Sequence, residues 1–195
     1  MDHHYLEYKT LYSKAKYLTL EYELTESKFS TYKVEFLKEI SKKVPDDFGP
    51  SNPIDDIVAS IEDILSEDIN SLDNVAISKS FKSLYKKIML IVHPDKIIGM
   101  KDEGTRLSYI RLSERANQAA TTEDWFTLFD ICNELKIDDI DINEENIVWL
   151  KDYCESKISE SESLTSSYPW VWFNSDEKTK HLIEKAFIEK KTKKV

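Results

Sequence analysis

A chain reverses direction sharply through glycine and proline, and this sequence of 195 residues holds only three glycines and five prolines. Turn-rich β folds need those residues again and again, so a chain this poor in them connects a few long elements. The fold class expected is all-α. With 41% hydrophobic and 33% charged residues, helices can bury one face and solvate the other, which excludes a wholly disordered chain. The formal net charge is −10, from 27 Lys and Arg against 37 Asp and Glu, and it opposes a nucleic-acid partner unless cations cluster. Cys132 and Cys154 are too few for a disulfide framework or a spaced zinc set, which fits a reducing, cytoplasmic compartment. Met1-Asp2-His3-His4-Tyr5 does not lead into an apolar signal region, and no apolar run nears the length of a membrane span, so no membrane partner is expected.

Tyr5, Tyr8, Tyr12, Ala15, Tyr22, Phe29, Phe36 and Ile40 recur at steps of three, four or seven, with Leu11 and Leu18 one residue off the stripe. This predicts an N-terminal amphipathic helix or helical pair in region 1–44. Thr19, Glu26 and Lys33 interrupt the stripe too often for a regular coiled coil. Packing on the rest of the chain is therefore the first expectation, and homo-oligomerisation through this helix the second. Pro45, Gly49, Pro50 and Pro53 then mark 45–53 as a linker.

The sign of the charge now reverses along the chain. From Val44 to Ser78 there are nine acids and no Lys or Arg, with Ile54, Ile57, Val58, Ile61, Ile64 and Leu65 predicting a short helix over 54–66. From Lys79 to Lys96 five lysines, Lys79, Lys82, Lys86, Lys87 and Lys96, face one acid, Asp95. Phe81, Leu84, Tyr85, Ile88 and Ile91 or Val92 predict a basic helix over 78–92, which must stop at His93-Pro94-Asp95 because proline bars the helical conformation to the residue before it. Leu107, Ile110, Leu112, Ala116, Ala119 and Ala120 predict the next helix over 104–120, its alanines permitting close approach. In the C-terminal region, 121–195, Thr121 or Thr122 caps a helix through Trp125, Leu128, Phe129, Cys132 and Leu135. Asn143 caps another, and Tyr168-Pro169-Trp170-Val171-Trp172-Phe173 forms an aromatic segment, 168–173, before a lysine-rich helix from about Ser175.

A loop held between two antiparallel helices presents His93, Pro94 and Asp95 on a rigid platform, where the Asp95 carboxylate can form a bidentate pair with a partner arginine. Lys82, Lys86 and Lys87 add a solvated basic face that suits an acidic partner. Tyr85-Lys86-Lys87, five residues, then His93-Pro94-Asp95-Lys96 resembles the signature of the J-domain (DnaJ-like) co-chaperone family. The resemblance covers 54–120 and extends to Asn117-Gln118-Ala119, similar to that family's Asn-Glu-Ala. Val92 and Ala120 stand where the family usually carries aromatics, and the Tyr-rich opening of its first helix is absent. Because no Gly/Phe-rich linker or Cys-rich zinc module is present, the chain looks like the minimal third class. The order of its later helices and Tyr-Pro-Trp-Val-Trp is also similar to J-domain proteins of large DNA viruses, which would place it in host cytoplasm.

The resemblance implies a J-domain-like antiparallel hairpin embedded in an elongated helical protein. It further implies docking on a DnaK-type seventy-kilodalton heat-shock chaperone through His93, Pro94, Asp95, Lys96, Lys82, Tyr85, Lys86 and Lys87, with stimulation of that chaperone's ATP hydrolysis and delivery of a client protein the sequence does not identify. The alternative is an interaction scaffold whose J-like region no longer couples to the chaperone, a reading motivated by Val92 and Ala120. No enzyme is expected, since there is no Gly-rich phosphate loop, nucleophile elbow or paired Cys/His spacing. No metal or cofactor is expected either. Cys132 and Cys154 read as buried small hydrophobes, and Trp170 and Trp172 as core.

Overall fold

The structure, a computed structural model, describes residues 3–43 and 78–192. The linker 45–53 and the helix expected over 54–66 lie outside the described residues. Every regular element among the described residues is a helix, as an all-α chain requires: α1 (His3–Ser41), α2 (Lys79–Val92), the one-turn α3 (Pro94–Ile97), α4 (Glu103–Thr122), α5 (Trp125–Glu134), α6 (Glu144–Thr165), α7 (Tyr168–Phe173) and α8 (Glu177–Thr192). None of them is long and apolar enough to cross a membrane.

The described residues form two compact units, one of 3–17 with 78–155, the other of 18–43 with 156–192. Neither is a consecutive stretch like the regions 1–44, 54–120 and 121–195 drawn from the sequence. The physical reason is the length of α1, a single uninterrupted helix of 39 residues. At 1.5 Å per residue it runs about 58 Å, more than one small core can cover. Of its expected stripe, Tyr8, Tyr12, Ala15, Phe29, Phe36 and Ile40 are buried against the chain itself and Tyr5 and Tyr22 are half-buried, while Leu18, one residue off the stripe, and Leu37 are buried with them.

In the first unit, α2 buries Phe81, Leu84, Ile88 and Val92, a spacing of three, four and four that gathers them on one face. Against it lie Leu112, Ala116 and Ala119 of α4 and Trp125, Leu128, Phe129, Ile131 and Cys132 of α5. Phe81 meets Trp125 edge to face at 5.1 Å, and Tyr8 of α1 meets Phe129 in the same way at 5.0 Å. The start of α2 sits at the end of α4, where the Ser78 N–H donates to Glu123 Oε1 at 2.9 Å, so the two helices are antiparallel. Glu123 itself takes a left-handed conformation, φ 52°, to end α4. Leu107, placed on the buried face by its spacing, is 55% exposed. Cys132 and Cys154 are buried free thiols.

The caps differ in detail from the sequence reading. Helix α4 runs through Thr121 and Thr122, and Asp124 caps α5 by accepting the Thr127 N–H at 3.1 Å. An ionised carboxylate at a helix start accepts the N–H and favours the dipole together, which a threonine cannot do. Asp176, one residue beyond Ser175, caps α8 in the same way. Asn143 does open α6, in a reciprocal arrangement with Asn146: each backbone N–H donates to the other's side-chain oxygen, at 3.1 and 3.2 Å.

In the second unit, Phe36, Leu37, Ile40, Trp172 and Phe187 make one apolar cluster, with Phe36 edge-on to both Trp172 and Phe187. The aromatic segment 168–173 is thus a short helix with Trp172 buried, while Trp170 is half-buried beside Tyr32. Glu184 is buried there among donors, taking the Trp172 indole N–H at 3.0 Å, Lys43 Nζ at 2.5 Å and His181 Nδ1 at 3.1 Å. Burial alone would raise its pKa, but Lys43, Trp172 and His181 together bring it below the usual carboxylate value.

Asp130 of α5 plays the matching part in the first unit, accepting from Arg115 of α4 at 2.7 Å and from Tyr12 and Lys16 of α1 at 2.8 and 3.1 Å. Burial pushes its pKa up, yet the bonds from Arg115, Tyr12 and Lys16 outweigh that and leave it below the ordinary 3.8. A carboxylate with a depressed folded pKa contributes its stability above the unfolded value and loses it as pH falls through the folded one. Asp130→Asn should therefore cost roughly 1–3 kcal/mol at pH 7. In chemical denaturation, wild type should lose stability below about pH 4 and the variant should lose less of it over the same interval.

Candidate functional site

Burying Phe81, Leu84, Ile88 and Val92 turns the opposite face of α2 to solvent, and on it Lys79, Lys82, Lys86 and Leu90 stand three or four residues apart, all exposed. The N-cap is Ser78, whose hydroxyl oxygen accepts the Phe81 N–H at 3.1 Å.

At the far end, His93 has φ −62° and ψ 137°, the extended conformation that a following proline demands. Pro94 then begins α3 at a position where its missing N–H leaves nothing unsatisfied. The His93 ring caps this turn, Nδ1 accepting the Asp95 N–H at 3.3 Å, and the His93 carbonyl accepts from Lys96 N at 2.9 Å. In this role Nδ1 carries no proton, so a neutral ring holds its hydrogen on Nε2. Ile97, 4% exposed, seats the turn in the hairpin. With Ile97 pointing in, the other side of the turn points out. The Asp95 side chain is 85% exposed and that of His93 49%, with Asp95 Oδ2 3.5 Å from His93 Nδ1.

The remaining expected residues have internal partners. Tyr85 donates its hydroxyl to Asn117 Oδ1 at 2.7 Å, bracing α2 on α4. Lys87 donates to the Asp139 carbonyl at 2.6 Å and lies 3.5 Å from the Asp139 carboxylate. The Lys96 ammonium bonds the Leu90 carbonyl, one of the acceptors that the end of α2 leaves unpaired. Of the eight residues, then, His93, Pro94 and Asp95 share the exposed tip and Lys82 and Lys86 the face leading to it. Tyr85, Lys87 and Lys96 hold the scaffold. The exposed basic face is narrower than the lysine count implies, and it includes an apolar residue, Leu90, 57% exposed. Its position four residues after Lys86 was the signal that could have found it.

The arrangement offers an anion and an imidazole on a stiff one-turn support beside a row of ammonium groups. An exposed carboxylate of this kind can accept the paired N–H donors of a guanidinium, and the ammonium groups can meet an acidic surface. Comparison with protein-family models, with curated proteins and with solved structures returns no match.

Stability should respond unequally at two positions of the site. Tyr85→Phe removes the bond to Asn117 and should cost about 1 kcal/mol in thermal or denaturant unfolding. Asp95→Asn, on an exposed side chain, should stay within about 0.5 kcal/mol of wild type.

Proposed function

We propose that this chain is a co-chaperone of the J-domain type, docking on a DnaK-type heat-shock chaperone through the tip of the α2–α4 hairpin and stimulating ATP hydrolysis there. The single observation that carries the reading is the exposure of His93-Pro94-Asp95, in that order, on a capped turn next to Lys82 and Lys86. The Asp95 side chain, 85% exposed, leaves its carboxylate open to the two parallel N–H donors of an arginine. The lysine row draws in an acidic partner surface that the net charge of −10 would otherwise repel. The ATP chemistry belongs to the chaperone; this chain supplies a contact that favours the hydrolytic state.

The scaffold reading has one observation in its favour, the engagement of Lys87 and Lys96 within the chain, which leaves fewer cations for a chaperone. The two readings part on a binding titration against a DnaK-type chaperone held in its ATP state. The co-chaperone reading predicts saturable binding that Asp95→Asn weakens by roughly 2–5 kcal/mol, because a partner arginine loses its charge partner in a desolvated contact. Binding should also weaken from low to physiological salt, more in wild type than in Lys82→Ala/Lys86→Ala. Undiminished binding by Asp95→Asn would favour the scaffold.

A further inference from the structure

The first unit holds a cavity of about 250 Å³ that the hairpin tip does not use, between the first turns of α1 and the chain leaving α5. Tyr5, Tyr8 and Tyr12 wall one side and Ile137 and Ile140 contribute from the other. Tyr8 is 3% exposed, and its hydroxyl has no hydrogen-bond partner among the described residues. The Tyr12 hydroxyl, by contrast, is held by Asp130. Burial, then the nearby Cys132 and Tyr5, hold the Tyr8 phenol above its usual pKa, so it stays a neutral donor. Lys9 and Lys136, both exposed, also line the cavity against a single carboxylate, Asp138. Lys9 Nζ stands 5.3 Å from the centre of the Tyr5 ring. In a chain of net charge −10 this is a local excess of positive charge over aromatic walls.

We propose that this cavity binds a small aromatic carboxylate, its ring between the tyrosine and isoleucine walls and its carboxylate taking the Tyr8 hydroxyl and the ammonium groups of Lys9 and Lys136. The size is right, since a cavity of about 150 Å³ holds a bare benzene ring and the remainder accommodates a short acid side chain. The Tyr8 hydroxyl is not closed off from solvent at the cavity, so an anionic acceptor entering it can take that donor. Cys132 lies in the same lining, but burial pushes its thiol up to about 12, so binding is non-covalent.

The probe is 3-phenylpropionate, titrated into the full chain and followed by calorimetry and by backbone amide shifts around Tyr8 and Lys136. A ligand of this size should saturate with a Kd on the order of 1 mM. The methyl ester, which lacks the charge, and hexanoate, which lacks the ring, should each bind about tenfold more weakly. Tyr8→Phe should weaken binding about fivefold while melting like wild type, since the hydroxyl it removes bonds nothing. Lys9→Gln/Lys136→Gln, two exposed changes, should weaken it further. The proposal is overturned by failure to saturate at about 20 mM, by equal binding of the ester, or by unchanged affinity in Tyr8→Phe. Tighter binding of a peptide ending in phenylalanine than of the free acid would also overturn it, by moving the ligand to a chain end.

Discussion

Burial of four side chains on one face of a 14-residue helix decides most of what this chain presents to solvent. Once Phe81, Leu84, Ile88 and Val92 are packed on α4 and α5, the helical period leaves Lys79, Lys82, Lys86 and Leu90 nowhere to point but outward. The same burial sets the direction in which α2 delivers the chain to Pro94. Proline then fixes the rest, because it has no N–H to continue the helix and holds His93 extended. A new turn must start there. Ile97 locks that turn to the hairpin, and Lys96 closes the open carbonyl of Leu90 behind it. Exposure of Asp95 follows from these local rules and needs no strain, for none of these residues has a positive φ.

Each unit contains a carboxylate surrounded by donors. Asp130 joins α1, α4 and α5, and Glu184 joins the Trp172 indole, His181 and Lys43. Both lie among apolar residues that by themselves would accept many packings, and hydrogen bonds of fixed direction select one of them. A lost partner at either carboxylate leaves charge behind in a poorly solvated place, which makes such a group sensitive to substitution of its neighbours.

Much of the fold was legible because it is governed over short distances in the sequence. The stop at His93-Pro94 is a steric rule between neighbours, and the faces of α1 and α2 are spacings of three and four. What the sequence hid depends on residues far apart in it. Tyr12 and Asp130 are separated by 118 positions and Arg115 and Asp130 by 15, with no local pattern linking them. Lys87 reads as one more cation of the basic face until the chain after α5 brings Asp139 to it. The start of α5 was misplaced for a different reason. Thr121, Thr122 and Asp124 are all acceptable caps, and the choice is made by how far α4 runs before Glu123 turns left-handed. At the site, the order His93-Pro94-Asp95 was plain, whereas the engagement of Tyr85, Lys87 and Lys96 required tertiary contacts. The cavity beside Tyr8 was wholly hidden, since α1 shows only a stripe of tyrosines.

The central claim is that the exposed turn at 93–95 acts on a chaperone's ATPase. It is tested most directly by single-turnover hydrolysis of ATP preloaded on a DnaK-type chaperone, with the chain added in excess. The account predicts an acceleration that rises to saturation with wild type, is absent with Asp95→Asn and His93→Gln, and survives Lys87→Ala, whose ammonium is turned to Asp139. Equal acceleration by wild type and Asp95→Asn, or none by wild type, would contradict it.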